Sequence, residues 1–264
     1  MDLTGKVILI VGGTRGMGFS AAKACVGAGA KVVVVGRNKE NADRAAASIG
    51  PNARAFAADA LDPPSIPQAV AFTVESFGKL DGVYHCAGGS GRKLGDGPLH
   101  QITDSGWRST VDWNLTTLFH TNRAAVNQFL KQGSPGSILN IGSILAVSPS
   151  PHFFATHAYA AAKSAIIGFT HTCASYYAPH DIRFNLVVPA LVKTPMSERS
   201  TGNPQIMGFM KTKQPLAHGQ PMQPSDLDAA VLYFLSDASR FVTGQVLSID
   251  AGWSLSEGQI PPTA

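Results

Sequence analysis

A tyrosine and a lysine lie four residues apart in an alanine-rich stretch, Tyr159-Ala-Ala-Ala-Lys163. In a helix, this spacing puts both side chains on one face. A lysine ammonium beside a phenol favours the phenolate and lowers the tyrosine pKa toward the working pH, which suits a general acid or base. The same pair on a solvated helix face would do no chemistry, so the interpretation depends on which residues stand nearby.

Two polar residues strengthen the catalytic interpretation. Ser143 follows an apolar run at 137–141, sixteen residues before Tyr159. A strand there would end at the crevice where open parallel sheets bind ligands, so the Ser143 hydroxyl could hydrogen-bond a substrate oxygen. Asn114 lies inside a long stretch that otherwise reads as apolar helix packing. Asparagine is unfavourable inside a helix, which indicates a role beyond helix formation.

A glycine-rich loop follows the first apolar run and precedes an alanine-rich stretch. It reads Gly12-Gly-Thr-Arg-Gly16-Met-Gly18, with a wider first gap than the common G-x-G-x-x-G. Glycines allow a tight turn and a close backbone approach to a pyrophosphate, and a helix N-terminus offers free N–H groups to the phosphates. Glycines in a loop also simply make turns, but the strand–loop–helix context favours a dinucleotide site.

The end of the second apolar run indicates which dinucleotide is used. An NAD-specific site would commonly place an acid there for the ribose 2′-hydroxyl, whereas this chain has Gly36 and Arg37. Glycine removes the repulsion of a 2′-phosphate and leaves room for it, and Arg37 and Arg15 could converge on the dianion. We therefore expect a roughly 10- to 100-fold preference for NADP(H), with NAD(H) still possible. The alternative is two solvated arginines at the edge of the sheet.

The spacing of apolar runs predicts the elements that position these residues. Seven runs are near-continuously apolar, as expected of strands buried on both faces of a sheet, and helical stretches separate them. This pattern predicts an α/β fold, a Rossmann-type doubly wound seven-stranded parallel sheet with helices on both faces, in a single domain over 1–264. The predicted strands are 7–11, 31–35, 54–58, 80–86, 137–141, 182–188 and 246–249, and the predicted helices are 18–28, 39–49, 65–77, 105–130, 158–177 and 226–235.

Three segments fall outside this alternation of strands and helices. Residues 193–223 carry several Gly and Pro and no clear strand, which is typical of a substrate lid, although a surface excursion with short helices is the alternative. The loop 89–93 carries two cations that could steer an acidic substrate or could be merely solvated. The 151–157 stretch could shape the substrate site or be a solvent loop. The lid offers apolar side chains that suit a hydrophobic ketone or pack as helix core: Met196, Ile206, Met207, Phe209 and Met210.

Composition and charge exclude several other classes of function. The 264 residues are 44% apolar and 14% charged, too apolar and too weakly charged for a disordered chain. The net charge of +4 comes without a basic block, so we expect no nucleic-acid partner. We expect no membrane span, since no apolar run approaches ~18 residues, and no signal peptide. The three cysteines are far apart in the sequence, which predicts no disulfides and favours a cytoplasmic location. The eight histidines form no metal-binding motif, so we expect no metal site.

Taken together, the motifs identify a family resemblance. Over essentially its whole length the chain resembles the short-chain dehydrogenase/reductase superfamily, most closely its bacterial ketoreductase-type branch. The matching pieces are Gly12 with Gly16-Met17-Gly18, Asp59, Ala87-Gly88, Asn114, Ser143, Tyr159 with Lys163, Pro189 to Thr194, Thr243-Gly244-Gln245 and Asp250-Ala251-Gly252.

The resemblance implies an Asn-Ser-Tyr-Lys tetrad of Asn114, Ser143, Tyr159 and Lys163. It also implies that Asp59 lies near the adenine, that Ala87-Gly88 lies beside the cofactor, and that the loop from Pro189 to Thr194 meets the nicotinamide carboxamide. A homotetramer is expected on the same ground, with the 105–130 and 158–177 helices packing across a two-fold axis. The expected cofactor contacts are Gly12, Thr14, Arg15, Gly16, Met17, Gly18, Arg37, Asn38, Asp59, Ala60, Ala87, Gly88, Tyr159, Lys163, Pro189, Val192 and Thr194.

Three residues depart from the family pattern. Val11 replaces a threonine, Cys86 replaces an asparagine, and Ala190 replaces a glycine, all near the expected cofactor site. The tetrad stays intact, so the sequence predicts an oxidoreductase that transfers hydride between NADP(H) and a carbonyl or secondary alcohol of a small molecule. The alternatives are an enoyl (C=C) reductase of the same fold and a dinucleotide-binding regulator without turnover.

Overall fold

The sheet consists of short, apolar, parallel strands. The computed structural model describes residues 1–258, and the seven predicted strands are all present there. Residues 259–264, included in the single-domain prediction, lie outside the described range. The strands are β1 (Val7–Val11), β2 (Lys31–Gly36), β3 (Ala53–Ala57), β4 (Gly82–His85), β5 (Gly136–Ile141), β6 (Ile182–Pro189) and β7 (Val246–Ile249).

The strand order is β3-β2-β1-β4-β5-β6-β7, and every neighbouring pair is parallel. The chain therefore winds outward in one direction from β1 to β3 and in the other from β4 to β7. The order reverses between β1 and β4, which is where an open parallel sheet leaves a crevice at the carboxyl ends of its strands. The predicted Rossmann-type doubly wound fold is confirmed.

Helices cover both faces of this sheet. They are α1 (Gly16–Gly27), α2 (Lys39–Ile49), α3 (Ser65–Phe77), α4 (Asp104–Val111), α5 (Thr117–Gln132), α6 (Pro151–Phe154), α7 (His157–Tyr177), α8 (Glu198–Thr201), α9 (Pro204–Lys213) and α10 (Asp228–Leu235).

The prediction of one helix over 105–130 was wrong in an informative way. A π-helical turn, Asp112–Thr116, separates α4 from α5, and Asn114 lies inside it. Such turns widen the helix by one residue and often occur at functional sites. A π-helical turn adds only one residue to the helix, so the spacing of apolar residues before and after it is nearly that of a continuous helix. The sequence therefore did not reveal the interruption.

The remaining errors of prediction are at element ends. The strand predicted at 80–86 is shorter, because only Gly82–His85 pairs with both β1 and β5. The strand predicted at 54–58 begins one residue earlier, and the 226–235 helix starts with a 3₁₀ turn, Pro224–Leu227. End residues depend on capping and local hydrogen bonds more than on the apolar pattern, so these shifts leave the topology unchanged.

Burial on both faces explains the continuous apolar runs. Ile8 and Ile10 of β1 pack into one core with α1 and α10, whereas Leu9 and Val11 pack into a second core with α3 and α5. All four side chains are at most 2% exposed. Each contributes about 1.5–3 kcal/mol through burial, so the central strands form a rigid base for the loops at their carboxyl ends.

The 193–223 segment is mostly helical rather than irregular. A 3₁₀ turn, Pro195–Ser197, leads into the short helices α8 and α9. Of its apolar side chains, Ile206 and Met210 are fully buried in a third core beside Trp253, so these two are packing residues. Met196, by contrast, is half exposed. Within residues 1–258 no helix combines the length and the apolar character needed to cross a membrane.

Candidate active site

A cavity of about 760 Å³ lies at the carboxyl ends of the central strands, across the point where the strand order reverses. Among the residues predicted for the site, all line this cavity except Gly18 and Asn114. The cavity is lined by the glycine-rich loop, the end of β2 and the loops after β4 and β6, together with Ser143, Tyr159 and Lys163. The fold thus brings together residues that are more than 180 positions apart in the chain.

The glycine positions of the glycine-rich loop have no space for side chains. A Cβ at Gly12, where φ is +86°, would lie 2.7 Å from the Ala87 backbone nitrogen. A Cβ at Gly16, where φ is +55°, would lie 3.3 Å from Thr194 Cγ2. A Cβ at Gly18 would collide with the carbonyl of Gly12, so Gly18 packs α1 against the loop rather than facing the cavity.

The N-terminus of α1 also fits a bound anion. The helix begins at Gly16 with no side-chain cap on its first N–H groups and no acidic residue in its first turn. Free N–H groups and the positive end of the helix dipole favour a phosphate at this place. The loop and helix therefore fit the pyrophosphate of a dinucleotide.

Several basic side chains gather at the β2 end of the cavity. Arg15, Arg37 and Arg44 line it, and none of them forms an ion pair with an acidic residue within 1–258. The Arg37 guanidinium lies over the Trp113 ring, 5.8 Å from its centroid. Arg44 also donates a hydrogen bond to the Asn41 side chain. Three guanidiniums without carboxylate partners form a site that suits a phosphate.

Arg44 and its neighbours were missed in the sequence. Asn41, Arg44, Ala45 and Ser48 line the cavity from one face of α2. Their spacing of three, one and three residues is the signal of a single helix face, and it could have identified them. Gly36 itself has no space for a side chain, since a Cβ there would lie 2.6 Å from Thr14 Cγ2. The room expected there for a phosphate stays a prediction.

The tyrosine and lysine lie close together but do not form an exposed pair. Tyr159 is 8% exposed and Lys163 3% exposed. Lys163 Nζ lies 5.8 Å from the centroid of the Tyr159 ring and donates a hydrogen bond to the Ile141 carbonyl oxygen at 3.0 Å. Ser143 lies near the Tyr159 phenol and acts to lower its pKa. Serine, tyrosine and lysine thus line the same cavity beyond the end of β5.

Burial dominates the titration of this group. It raises the pKa of Tyr159, while the nearby Ser143 side chain acts in the opposite direction. It lowers the pKa of Lys163 to about 8. The upward shift at Tyr159 is opposite to the expected lowering by Lys163, because the ammonium faces the Ile141 carbonyl and the phenol is removed from water. The phenol is therefore protonated at neutral pH, as a proton donor must be.

Asn114 supports the site from behind. Its Nδ2 donates to the carbonyl oxygens of Gly89 and Thr110, both at 2.9 Å, and its Oδ1 accepts from the Gly89 N–H at 3.1 Å. A Cβ at Gly88, where φ is +139°, would lie 2.7 Å from Asn114 Oδ1. The asparagine side chain therefore fixes the loop after β4, and it does so from the π-helical turn.

A further acidic residue holds the tyrosine in place. Asp96 is buried, and its two carboxylate oxygens accept hydrogen bonds from the N–H groups of Ala158 and Tyr159, each at 3.0 Å. It therefore caps α7 from a loop more than sixty residues away. The sequence carried no signal for this, since capping patterns are local and this cap is contributed by a distant loop.

Comparisons with known proteins agree with this architecture. The family profile described as Enoyl-(Acyl carrier protein) reductase matches residues 11–254. A 2,5-dichloro-2,5-cyclohexadiene-1,4-diol dehydrogenase of Sphingobium indicum is 32% identical over 255 residues, covering 96% of this chain and 98% of that protein. A 3-alpha-(or 20-beta)-hydroxysteroid dehydrogenase of Mycobacterium bovis is 34% identical, covering 95% and 90%. A solved 3-ketoacyl-(acyl-carrier-protein) reductase of Brucella melitensis, complexed with NADH, superimposes with a TM-score of 0.85 at 28% identity, covering 96% and 100%.

Proposed function

The chain belongs to the short-chain dehydrogenase/reductase superfamily of oxidoreductases, and we propose that it transfers hydride between NADP(H) and a carbonyl or secondary alcohol carbon of a small molecule. One observation carries this proposal. Ser143, Tyr159 and Lys163 line the same cavity as the glycine-rich loop and three guanidiniums that have no carboxylate partner within residues 1–258.

Tyr159 is the proposed general acid for reduction. Its protonated phenol donates to the alkoxide oxygen that develops on the substrate, and in the oxidation direction it accepts that proton. Ser143 holds the same oxygen by a hydrogen bond and keeps it next to the phenol. The nicotinamide, when bound, supplies or accepts the hydride at its C4 position.

Lys163 and Asn114 are the proposed supports of proton transfer. The Lys163 ammonium stabilises the phenolate left on Tyr159 and binds the nicotinamide ribose. Its lowered pKa of about 8 leaves it charged at neutral pH. Asn114 holds the loop after β4 and positions a water molecule in the proton relay.

The proposed preference for NADP(H) rests on the basic end of the cavity. Arg15, Arg37 and Arg44 can each donate charge-assisted hydrogen bonds to a 2′-phosphate. Asp59, Ala60 and Asn38 line the same region and are the proposed adenosine contacts. One solved relative is complexed with NADH. The competing outcome is therefore that this protein uses NAD(H) as well as NADP(H).

Three further predictions accompany this proposal. The 193–223 segment remains the predicted substrate lid, and Met196 and Ser197 within it line the cavity.

The predicted homotetramer is supported by the exposed apolar side chains Phe119 and Leu130 on α5 and Tyr176 on α7. Sedimentation of the protein at micromolar concentration tests this oligomeric state. A cytoplasmic location remains a prediction from the sequence.

The proposal is tested by turnover of a chemical panel with the purified protein. Keto-esters, acyl thioesters, sugars, steroids and enoyl thioesters are each supplied with NADPH or NADH, and loss of the reduced cofactor is followed by absorbance. The proposal requires reduction of at least one ketone and faster use of NADPH. Reduction confined to the enoyl thioesters would support the C=C reductase alternative. Tight cofactor binding with no turnover would support the regulator.

A further inference from the structure

Two arginine side chains converge on one backbone carbonyl beside the candidate active site. Arg92 Nη2 donates to the Phe153 carbonyl oxygen at 3.1 Å, and Arg199 Nη2 donates to the same oxygen at 3.2 Å. Arg92 lies in the loop after β4, Phe153 in α6 after β5, and Arg199 in α8 after β6. Three segments that follow neighbouring strands of the sheet therefore meet at this oxygen.

Neither guanidinium has a carboxylate partner. Within residues 1–258 no Asp or Glu forms an ion pair with Arg92 or Arg199. Asp96 is the acidic group that faces Arg92, but its two oxygens accept the N–H groups of Ala158 and Tyr159. Burial and the charge of Arg199 lower the pKa of Arg92. An anion placed between the two guanidiniums would relieve this repulsion.

Neither Arg92 nor Arg199 lines the cavity, but both lie a few residues after side chains that do. Gly89 and Ser197 line the cavity, and they precede Arg92 and Arg199 by three and two residues. The shared carbonyl lies six residues before Tyr159. A molecule whose reacting carbon faces Tyr159 could therefore extend toward these two side chains.

We infer that Arg92 and Arg199 bind a carboxylate, or an oxyanion of similar size, carried by the substrate at a distance from its ketone. This inference rests on the proposed function and names the substrate class of the same site. Each guanidinium uses one N–H group on Phe153, and its planar fork has further donors that match the two oxygens of a carboxylate. A keto acid is the predicted substrate class.

The test compares keto acids with their neutral methyl esters. Methyl ketones with the carboxylate two to five carbons away are reduced with NADPH by the wild-type protein and by Arg92→Gln and Arg199→Gln. The measured quantity is the ratio of kcat/KM for each acid to kcat/KM for its ester. At one chain length the wild type should prefer the acid, and each variant should lower the ratio about tenfold, which corresponds to ~1.4 kcal/mol.

Lys93→Gln is the matched control. Lys93 is an exposed cation next to Arg92 and, among the hydrogen bonds within residues 1–258, donates none to the Phe153 carbonyl. Its replacement by Gln changes the net charge equally. This variant should keep the preference for the acid. An equal loss of preference in Lys93→Gln would attribute the effect to the general field of the loop and overturn the inference.

Failure of this inference can be distinguished from failure of the proposed function. Ketone esters that turn over with no preference for the acid overturn the inference and leave the proposed function intact. If neither acids nor esters are reduced, the proposed function fails for these ketones, and the inference is tested by ligand binding instead. The acid must then raise the Tm of the NADP-bound wild-type protein more than its ester does, and this difference must be smaller in Arg199→Gln. Equal Tm shifts for acid and ester in the wild type would overturn the inference.

Discussion

The Asp96 carboxylate holds Tyr159 through its backbone rather than through its phenol. Asp96 Oδ2 accepts the Tyr159 N–H at 3.0 Å, and Asp96 Oδ1 accepts the preceding N–H of Ala158 at the same distance. The first turn of α7 therefore begins on a fixed acidic residue from the loop after β4. The position of the proposed proton donor depends on this contact as well as on its own helix.

Asp96→Ala should lower both stability and turnover. It leaves two buried N–H groups without acceptors, which costs ~1–3 kcal/mol in the free energy of unfolding, and it frees the first turn of α7 to shift. Urea unfolding and kcat for the same ketone measure the two effects. Thr103→Ala is the control, since it removes the cap of α4, in which Thr103 accepts the Gly106 N–H at 3.0 Å. It should cost ~1 kcal/mol without lowering kcat. Equal kcat values for the two variants would contradict a positioning role for Asp96.

Arg37→Ala should raise the KM for NADPH about tenfold and leave the KM for NADH unchanged, because only NADPH carries a phosphate that the guanidinium can bind. The wild-type preference should weaken with added salt, since exposed ion pairs are screened. Lys39→Ala is the matched control, because Lys39 is an exposed cation paired with Asp43 at 2.6 Å. An unmodified protein that used NADH as well as NADPH would contradict the cofactor preference.

His85 should make the protein less stable in acid. It is fully buried, its Nδ1 bonds the Thr121 hydroxyl at 2.9 Å, and burial lowers its pKa from 6.5 to about 3. Below 6.5 the unfolded chain therefore binds a proton that the folded chain excludes. This lowers the free energy of unfolding by up to ~1.4 kcal/mol per pH unit as the pH falls.

His85→Gln removes this titration. Urea unfolding of both proteins between about pH 5 and pH 7 gives the slope of stability against pH, and the variant should show the smaller slope. Identical slopes would show that His85 takes up its proton in the folded protein, contrary to its buried environment.

The sequence was informative wherever a local pattern decided the structure. Continuous apolar runs predicted β1 and β7 to the residue, and the order of strands and helices predicted the doubly wound sheet. The spacing of Tyr159 and Lys163 predicted their common helix face. The residues that were missed depend on tertiary contacts. Asp96 reaches α7 from a distant loop, and Arg199 meets Arg92 at the Phe153 carbonyl only because β4, β5 and β6 lie side by side in the sheet.

Predictions from residue type and spacing also failed where surrounding residues changed the properties of a side chain. A lysine near a phenol predicts a lowered tyrosine pKa, but burial reverses the direction at Tyr159, and Lys163 faces a carbonyl instead. At Gly36 the Thr14 side chain excludes any larger residue, a contact that no spacing rule reveals. Both features depend on what surrounds a residue rather than on the residue itself.

The central claim is that Tyr159 is the proton donor in hydride transfer to a ketone. The most direct measurement is kcat of Tyr159→Phe at saturating NADPH and ketone, together with the Kd for NADPH. Loss of the phenol hydroxyl should lower kcat by ~10²–10⁴-fold and leave the Kd unchanged, because the donor acts only in the reaction. Tyr176 lies on the same helix and is 71% exposed, so Tyr176→Phe should keep wild-type kcat. A Tyr159→Phe protein that retained wild-type kcat would contradict the account.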